Sequence, residues 1–256
     1  MPTLTLDNHH LFYADHRPEQ PGPALLLLHG AGGSHLVWPG ALRGLADTRV
    51  LALDLPGHGR SSPPGRRSID QYAAVVEAFM TALGLEEVVV AGHSMGGAIA
   101  LTMAVEPARA LRGIILIGAS ARMPVGEPLL GGAITSLDQA ADVIVDNGFA
   151  EAPSPDLRER MKAAVLATGA TATFGDFLAC NQFDARRRLA SITVPALVIG
   201  GAQDRMIAPP FMKALADGLP RARLALLEGV GHYAMLERPD EVAKLVADFI
   251  NTLRGR

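Results

Sequence analysis

Cysteine is almost missing from this chain: Cys180 is the only one in 256 residues, so no disulfide can close within it. No apolar run approaches the length of a membrane span. The first residues, Met1-Pro2-Thr3-Leu4-Thr5-Leu6-Asp7, carry neither the basic nor the apolar region of a secretory signal. Positive charge is not in excess. The net charge is −3, which gives no reason to expect nucleic acid or an anionic membrane as partner. His9, His10, His16 and His35 lack partners at metal-ligand spacing, so no metal site is expected. Gly30-Ala31-Gly32-Gly33 is glycine-rich, but it is not G-x-G-x-x-G, and no P-loop lysine follows. Internal repeats and low-complexity tracts are absent. These absences together lead to the expectation of a soluble cytoplasmic protein without cofactor. Oligomeric state leaves no mark on the residues.

What is present is apolar material for a large core. Hydrophobic residues make up 49% of the chain and charged residues 19%. The length fits one large α/β domain. Thr3 to Leu6 and Leu11 to Tyr13 read as two short strands joined at Asp7-Asn8. Ala24 to Leu28 is an unbroken apolar run, as expected of a strand buried on both faces. Trp38 to Leu45 reads as a short helix, and Arg49 to Asp54 as the next buried strand. Ser68 caps an amphipathic helix that Gly84 stops. Val88 to Gly92 is a strand, followed by a helix from Met95 to about Val105. Gly113 to Ile117, Val194 to Gly200 and Ala222 to Leu227 are further strands, and Pro239 to Leu253 is a closing helix. The count is eight strands, and the strand–helix rhythm predicts a mostly parallel sheet flanked by helices.

The rhythm breaks between 121 and 191. Helical patterns occupy Leu137 to Asn147, Pro155 to Thr168 and Thr173 to Phe183, with no buried strand between them. The expected organisation is a core of residues 1–120 and 192–256, with residues 121–191 as a helical cap inserted after the sixth strand.

Sites in open parallel sheets lie beyond the carboxyl ends of the strands, so the residues there carry the functional reading. Gly92-His93-Ser94-Met95-Gly96 fits G-x-S-x-G between a strand and a helix. A strand turning that sharply into a helix needs small residues two positions either side of its tip. Asp204 and His232 follow the last two strands. Serine needs a base to become nucleophilic, and the base needs an acid to fix its tautomer. Ser94, Asp204 and His232 supply the three groups. Met95 and Ala31 can each offer a backbone N–H to an oxyanion.

These segments resemble the α/β-hydrolase family, in its small cap-bearing branch of esterases and lactonases. The matching stretches are His29-Gly30-Ala31-Gly32-Gly33, Asp54 to Ser61, Gly92 to Gly97, Gly201 to Asp204, and Gly231-His232 with Glu237-Arg238-Pro239. The resemblance implies the α/β-hydrolase fold and a serine hydrolase acting on a small-molecule carboxylic ester or lactone. It implies Ser94, Asp204 and His232 as the triad and Ala31 and Met95 as the oxyanion hole. Enol-lactonases, hydrolases of ring-cleavage products and perhydrolases share this arrangement. A member that binds without turnover is the reading from another class. Trp38, His93, Met123, Phe174, Leu178, Met206, Ile207 and Tyr233 are expected to line the substrate pocket. His29 and His58 match structural turns of the family, and Asp54 is expected to anchor its own loop. Cys180 is expected to be a small cap residue, and Arg122, near the start of the cap, could meet a substrate carboxylate.

Overall fold

The computed structural model describes residues 2–6 and 9–254; the Asp7-Asn8 turn lies outside the described residues. Among them, eight strands form one sheet: β1 (Thr3–Leu6), β2 (His9–His16), β3 (Ala24–Leu28), β4 (Val50–Leu53), β5 (Val88–His93), β6 (Leu111–Ile117), β7 (Ala196–Gly201) and β8 (Ala222–Leu227). Their order is β1-β2-β4-β3-β5-β6-β7-β8. β1 and β2 pair antiparallel, as do β2 and β4, and all other neighbours are parallel. The expected mostly parallel, eight-stranded sheet is therefore the observed one.

The leucine run of β3 shows why these strands have no polar face. Leu26 and Leu28 pack with Tyr72, Val76 and Phe79 on one side of the sheet. Leu25 and Leu27 pack with Trp38, Val246 and Phe249 on the other. A strand covered on both sides needs apolar residues at both parities. The chain passes from β3 outward to β4, then returns across β3 to β5. The carboxyl ends of β3 and β5 are thus a topological switch point, where a parallel sheet opens a crevice.

α1 (Gly40–Arg43) follows β3, and α2 (Ile69–Ala82) connects β4 to β5. The Ser68 hydroxyl accepts the Gln71 N–H at 3.2 Å and so caps α2 as expected. The helix expected from Trp38 to Leu45 is shortened to Gly40–Arg43. A 3₁₀ turn covers His35–Val37, and α1 starts only after Pro39, whose ring cannot continue the preceding turn. α3 (Met95–Met103) follows β5 directly.

Five helices separate β6 from β7: α4 (Glu127–Leu130), α5 (Gly132–Thr135), α6 (Leu137–Gly148), α7 (Pro155–Thr168) and α8 (Ala170–Gln182). The three long ones match the sequence pattern. The one-turn α4 and α5 are too short to show periodicity. Arg158 and Lys162 of α7 pair with Asp138, Asp142 and Asp146 of α6, fastening the two helices together. α9 (Pro209–Gly218), α10 (Ala234–Glu237) and α11 (Pro239–Asn251) complete the chain. No single helix among the described residues is long and apolar enough to cross a membrane.

Candidate active site

Ser94 sits at the tip between β5 and α3 with φ 52° and ψ −116°. Few non-glycine residues adopt a positive φ, and such strain persists only where the surroundings enforce it. The surroundings here are two glycines. A Cβ on Gly92 would run into the Gly96 backbone, and one on Gly96 into the Leu28 carbonyl. The tight turn lifts the Ser94 side chain to the amino end of α3, half-buried at the edge of a cavity.

His232 lies on the same cavity, after β8. Its Nδ1 is 2.8 Å from Asp204 Oδ2. A carboxylate oxygen accepts, so in the neutral ring Nδ1 carries the proton and Nε2 the lone pair. Asp204 Oδ1 accepts the N–H groups of Met206 and Ile207, each at 2.8 Å, so both carboxylate oxygens are held. The end of β6 also abuts this ring. A Cβ at Gly118 would stand 3.0 Å from His232 Nδ1, but the position carries no carboxylate. Asp54 is elsewhere. It accepts from His35 N–H at 2.6 Å, His35 Nδ1–H at 2.9 Å and Arg60 N–H at 2.9 Å. Burial would raise its pKa, but the His35 and Arg60 donors hold it below the ordinary carboxylate value.

Two backbone donors near the serine are left without an acceptor among the described residues. Met95 is the first residue of α3, where an N–H has no helical acceptor. Ala31 follows Gly30, whose Cα packs close enough that a Cβ there would be 3.2 Å from Ser94 Cβ. Neither N–H meets an acceptor among the described residues. The Gly30 carbonyl accepts from Gly33 N–H at 3.1 Å and from His29 Nδ1–H at 2.8 Å. Across a trans peptide the Ala31 N–H points the opposite way. His29 Nε2 in turn accepts the Leu55 N–H at 3.1 Å, which fixes its neutral tautomer. Burial, then the neighbouring His58 charge, lowers the His29 pKa to about 4.

The cavity has a volume of about 230 Å³. Its floor is Gly30, Ala31, His93, Ser94, His232 and Tyr233; its other walls include Met123, Leu129, Val143, Ile144, Phe177, Cys180, Met206 and Ile207. Five of the eight expected pocket residues, His93, Met123, Met206, Ile207 and Tyr233, lie on it. Three do not, and each has a physical reason. Trp38 is sealed in the core beside Leu42 and Val50. Phe174 packs against that same cluster. Leu178 is half-buried, and its neighbour Phe177 takes the place on the cavity side of α8. Arg122 is exposed and bridges the Asp184 backbone, while the arginine that reaches the cavity is Arg205.

Several contacts around the site had no local signal in the sequence. His93 Nε2–H donates to the His232 carbonyl at 3.1 Å, and its ring packs tilted against His232 and Tyr233, with centroids 4.7 and 4.8 Å away. Burial, then repulsion from His232, pushes its pKa well down, so it stays a neutral prop. The Gly148 carbonyl, at the end of α6, accepts the N–H groups of His232 at 2.9 Å and Tyr233 at 3.1 Å. Arg205 donates to the carbonyls of Asp146 and Phe149, each at 2.7 Å. Glu237 accepts from Gly231 N–H at 2.8 Å and Ala150 N–H at 2.9 Å. The end of α6 is thereby tied to the loops carrying both Asp204 and His232. Burial raises the Cys180 thiol pKa, so this cavity residue is an inert thiol. Among the described residues no group of three or more His, Cys, Asp or Glu could hold a metal ion.

The sheet, its switch-point cavity and the strained serine turn meet in one comparison. Residues 25–245 match the sequence model of the alpha/beta hydrolase family. The chain belongs to that family. Among relatives of this alpha/beta hydrolase is a 2-hydroxy-6-oxononadienedioate/2-hydroxy-6-oxononatrienedioate hydrolase from Cupriavidus pinatubonensis. It is 30% identical over 251 residues, covering 88% of this chain and 86% of that protein. The enol-lactonase from Burkholderia xenovorans LB400 superposes with a TM-score of 0.88 at 26% identity, covering 98% of this chain and all of that one. An esterase from Exiguobacterium antarcticum shares the fold, with a TM-score of 0.89 at 19% identity over 96% of this hydrolase and 97% of the esterase.

Proposed function

We propose that this protein is a serine hydrolase that cleaves carboxylic esters of small to medium, mostly neutral acyl groups, with no cofactor. The observation that carries the reading is the meeting of Ser94 and His232 on one cavity, with His232 Nδ1 held by Asp204 at 2.8 Å. Ser94 Oγ attacks the ester carbonyl as His232 Nε2 takes its proton. The Ala31 and Met95 N–H groups receive the oxyanion. His232 returns the proton to the leaving alcohol, and an acyl-Ser94 remains. Water enters and attacks the acyl carbon as His232 Nε2 takes its proton; His232 then passes that proton to Ser94 Oγ as the acyl–Oγ bond breaks, and the acid leaves. Asp204 keeps the proton on Nδ1 throughout.

Residues 121–191 act in this reading as a cap that shapes the acyl site. An apolar cavity of about 230 Å³ is small for a ligand site and suits a short, uncharged acyl chain. Arg205 on the cavity wall favours a second reading, hydrolysis of a lactone bearing a carboxylate. Faster turnover of such lactones than of neutral esters would favour it. The similarity to an enol-lactonase supports the same alternative.

A serine-directed phosphonate tests the mechanism. It is expected to add to Ser94 alone, and Ser94→Ala is expected to keep the fold while losing ester turnover by about 10⁴-fold or more. Adduct formation at another serine, or near-normal turnover in the folded variant, overturns the reading.

A further inference from the structure

Asp176 is a completely buried carboxylate on α8, far in sequence from every strand end. Its Oδ2 accepts the Gly32 N–H at 2.9 Å and faces His58 Nε2 at 2.7 Å. Its Oδ1 accepts the Tyr72 hydroxyl at 2.6 Å. His58 Nδ1 lies 3.0 Å from the Pro56 carbonyl. Both His58 partners only accept, so both ring nitrogens carry protons and the ring is an imidazolium. Burial disfavours that charge, but the Asp176 carboxylate outweighs burial and raises the His58 pKa.

A buried ion pair is weak as a source of stability, because its desolvation cost rivals its attraction. What this pair does is local. Gly32 follows Ala31, and the insertion holds both of its polar atoms. Asp176 takes the Gly32 N–H, and the single Thr168 Oγ1 proton of α7 is shared between the Gly32 carbonyl at 3.0 Å and the Ala164 carbonyl at 3.1 Å. Val165 and Thr173 close around its Cα, since a Cβ there would be 3.5 Å and 3.6 Å from them. On the other side of Ala31, the Gly30 carbonyl is fixed by His29 and Gly33. Ala31 therefore lies between two peptide planes, one pinned by the core and one by the insertion.

We propose that Asp176 is a positioning residue, which from the helical insertion fixes the Ala31–Gly32 peptide and so completes the hold on Ala31, whose N–H receives the oxyanion. This rests on the serine-hydrolase reading above. The His58 charge is part of the device: it cancels the carboxylate, which alone would oppose a nearby developing oxyanion. The insertion is then not a free lid. Lifting α8 removes the acceptor of Gly32 and disorders the oxyanion loop along with it.

The test separates positioning from folding. In Asp176→Asn, kcat is expected to fall about 10- to 100-fold with KM changed by less than about threefold. The affinity for a trifluoromethyl ketone, which forms an oxyanion on Ser94, falls by the same factor. Affinity for a planar carboxamide analogue of the substrate stays within about threefold of wild type. Tyr72→Phe removes a donor from the other carboxylate oxygen. It is expected to lower Tm while leaving ketone affinity within about threefold. Wild-type kcat and ketone affinity in folded Asp176→Asn overturn the proposal. So does an equal loss of ketone affinity in Tyr72→Phe. Should Asp176→Asn not fold, Thr168→Val carries the test: a fall in kcat and ketone affinity at constant KM is expected, and no change overturns it. Ser94→Ala in the same assay keeps the two claims apart. Its inactivity beside an unaffected Asp176→Asn leaves the hydrolase reading standing and removes this one. A wild-type protein that turns over no ester and takes no phosphonate removes both.

Discussion

The two walls of the cavity are built on different principles. The strand-end wall is backbone architecture: a strained serine between glycines, a helix N-terminus, and loops whose carbonyls are fixed by buried histidines. The wall from α4 to α8 is side-chain packing, with Leu129, Val143, Ile144 and Phe177 presented from helices that must also bury other faces. The first wall carries short motifs, of which the serine turn between Gly92 and Gly96 is the clearest. The second is specified by how helices distant in sequence settle on the sheet. The proposed chemistry therefore sits on the wall with little freedom, which α8 supports through Asp176, and selectivity on the side chains that can change without disturbing that support.

The comparison breaks most visibly at the acid. Asp204 and Asp54 both end strands, but only Asp204 meets His232. Asp204→Asn is expected to lower kcat by up to about 10⁴-fold, because the amide permits the wrong imidazole tautomer. Asp54→Asn removes an acceptor for His35 and Arg60, so it should cost roughly 1–3 kcal/mol of stability and leave kcat within about tenfold. Steady-state kinetics and thermal unfolding of the two purified variants decide the matter. The reverse ranking would place the acid elsewhere.

How much of each wall could be read from the residues follows the same division. Gly92 to Gly97, the order Ser94, Asp204, His232, and the apolar strands were legible because motifs at strand ends and unbroken apolar runs mark them in the sequence. α9 left no clear expectation, although Pro209 and Pro210 mark its start. Trp38 looked like a pocket residue by its place after the first loop, yet its ring turns into the core. Phe174, Phe177 and Leu178 are close on one helix, and only the docking angle of α8 selects Phe177 for the cavity. Asp176, Gly148 and Arg205 act through contacts 144, 84 and 59 residues away in sequence, to Gly32, His232 and Asp146, and no local pattern announces them.

The core-side props make the strand-end wall sensitive to acid. His29 is buried and neutral with a pKa of about 4, whereas an unfolded histidine titrates near 6.5. Between those values the unfolded chain binds a proton that the folded one refuses, so stability falls as pH falls. The change from 6.5 to about 4 is worth at most roughly 3 kcal/mol. His93 acts in the same direction. His58 opposes them. Its pKa is raised, so its contribution is complete below about 6.5 and fades as pH rises through the folded value. Below about pH 6.5 the His58 contribution is constant, so His29 and His93 set the slope there: Tm is expected to drop between pH 6.5 and 4, and the acid limb should flatten in His29→Gln. A Tm rising steadily toward pH 4 would contradict the neutral, buried state of these rings.

The smallest effect is expected at the insertion wall, and it has a sign. Val143 is half-buried and borders the cavity, so truncating it enlarges the acyl space while leaving the core of the insertion intact. In Val143→Ala the acyl chain that gives the highest kcat/KM should lengthen by one or two methylenes. Each methylene that fits is worth roughly 1 kcal/mol or less. Val143→Phe should shorten the optimum instead. Leu178→Ala, one helix away and off the cavity, serves as the matched control and should not move it. Because these changes touch no group on the strand-end wall, kcat for the shortest ester should remain within about threefold of wild type in all three variants. A chain-length series of neutral esters measures both quantities at once. Parallel losses for every chain length would show that the two walls are not separable, and that the insertion sets the rate as well as the fit.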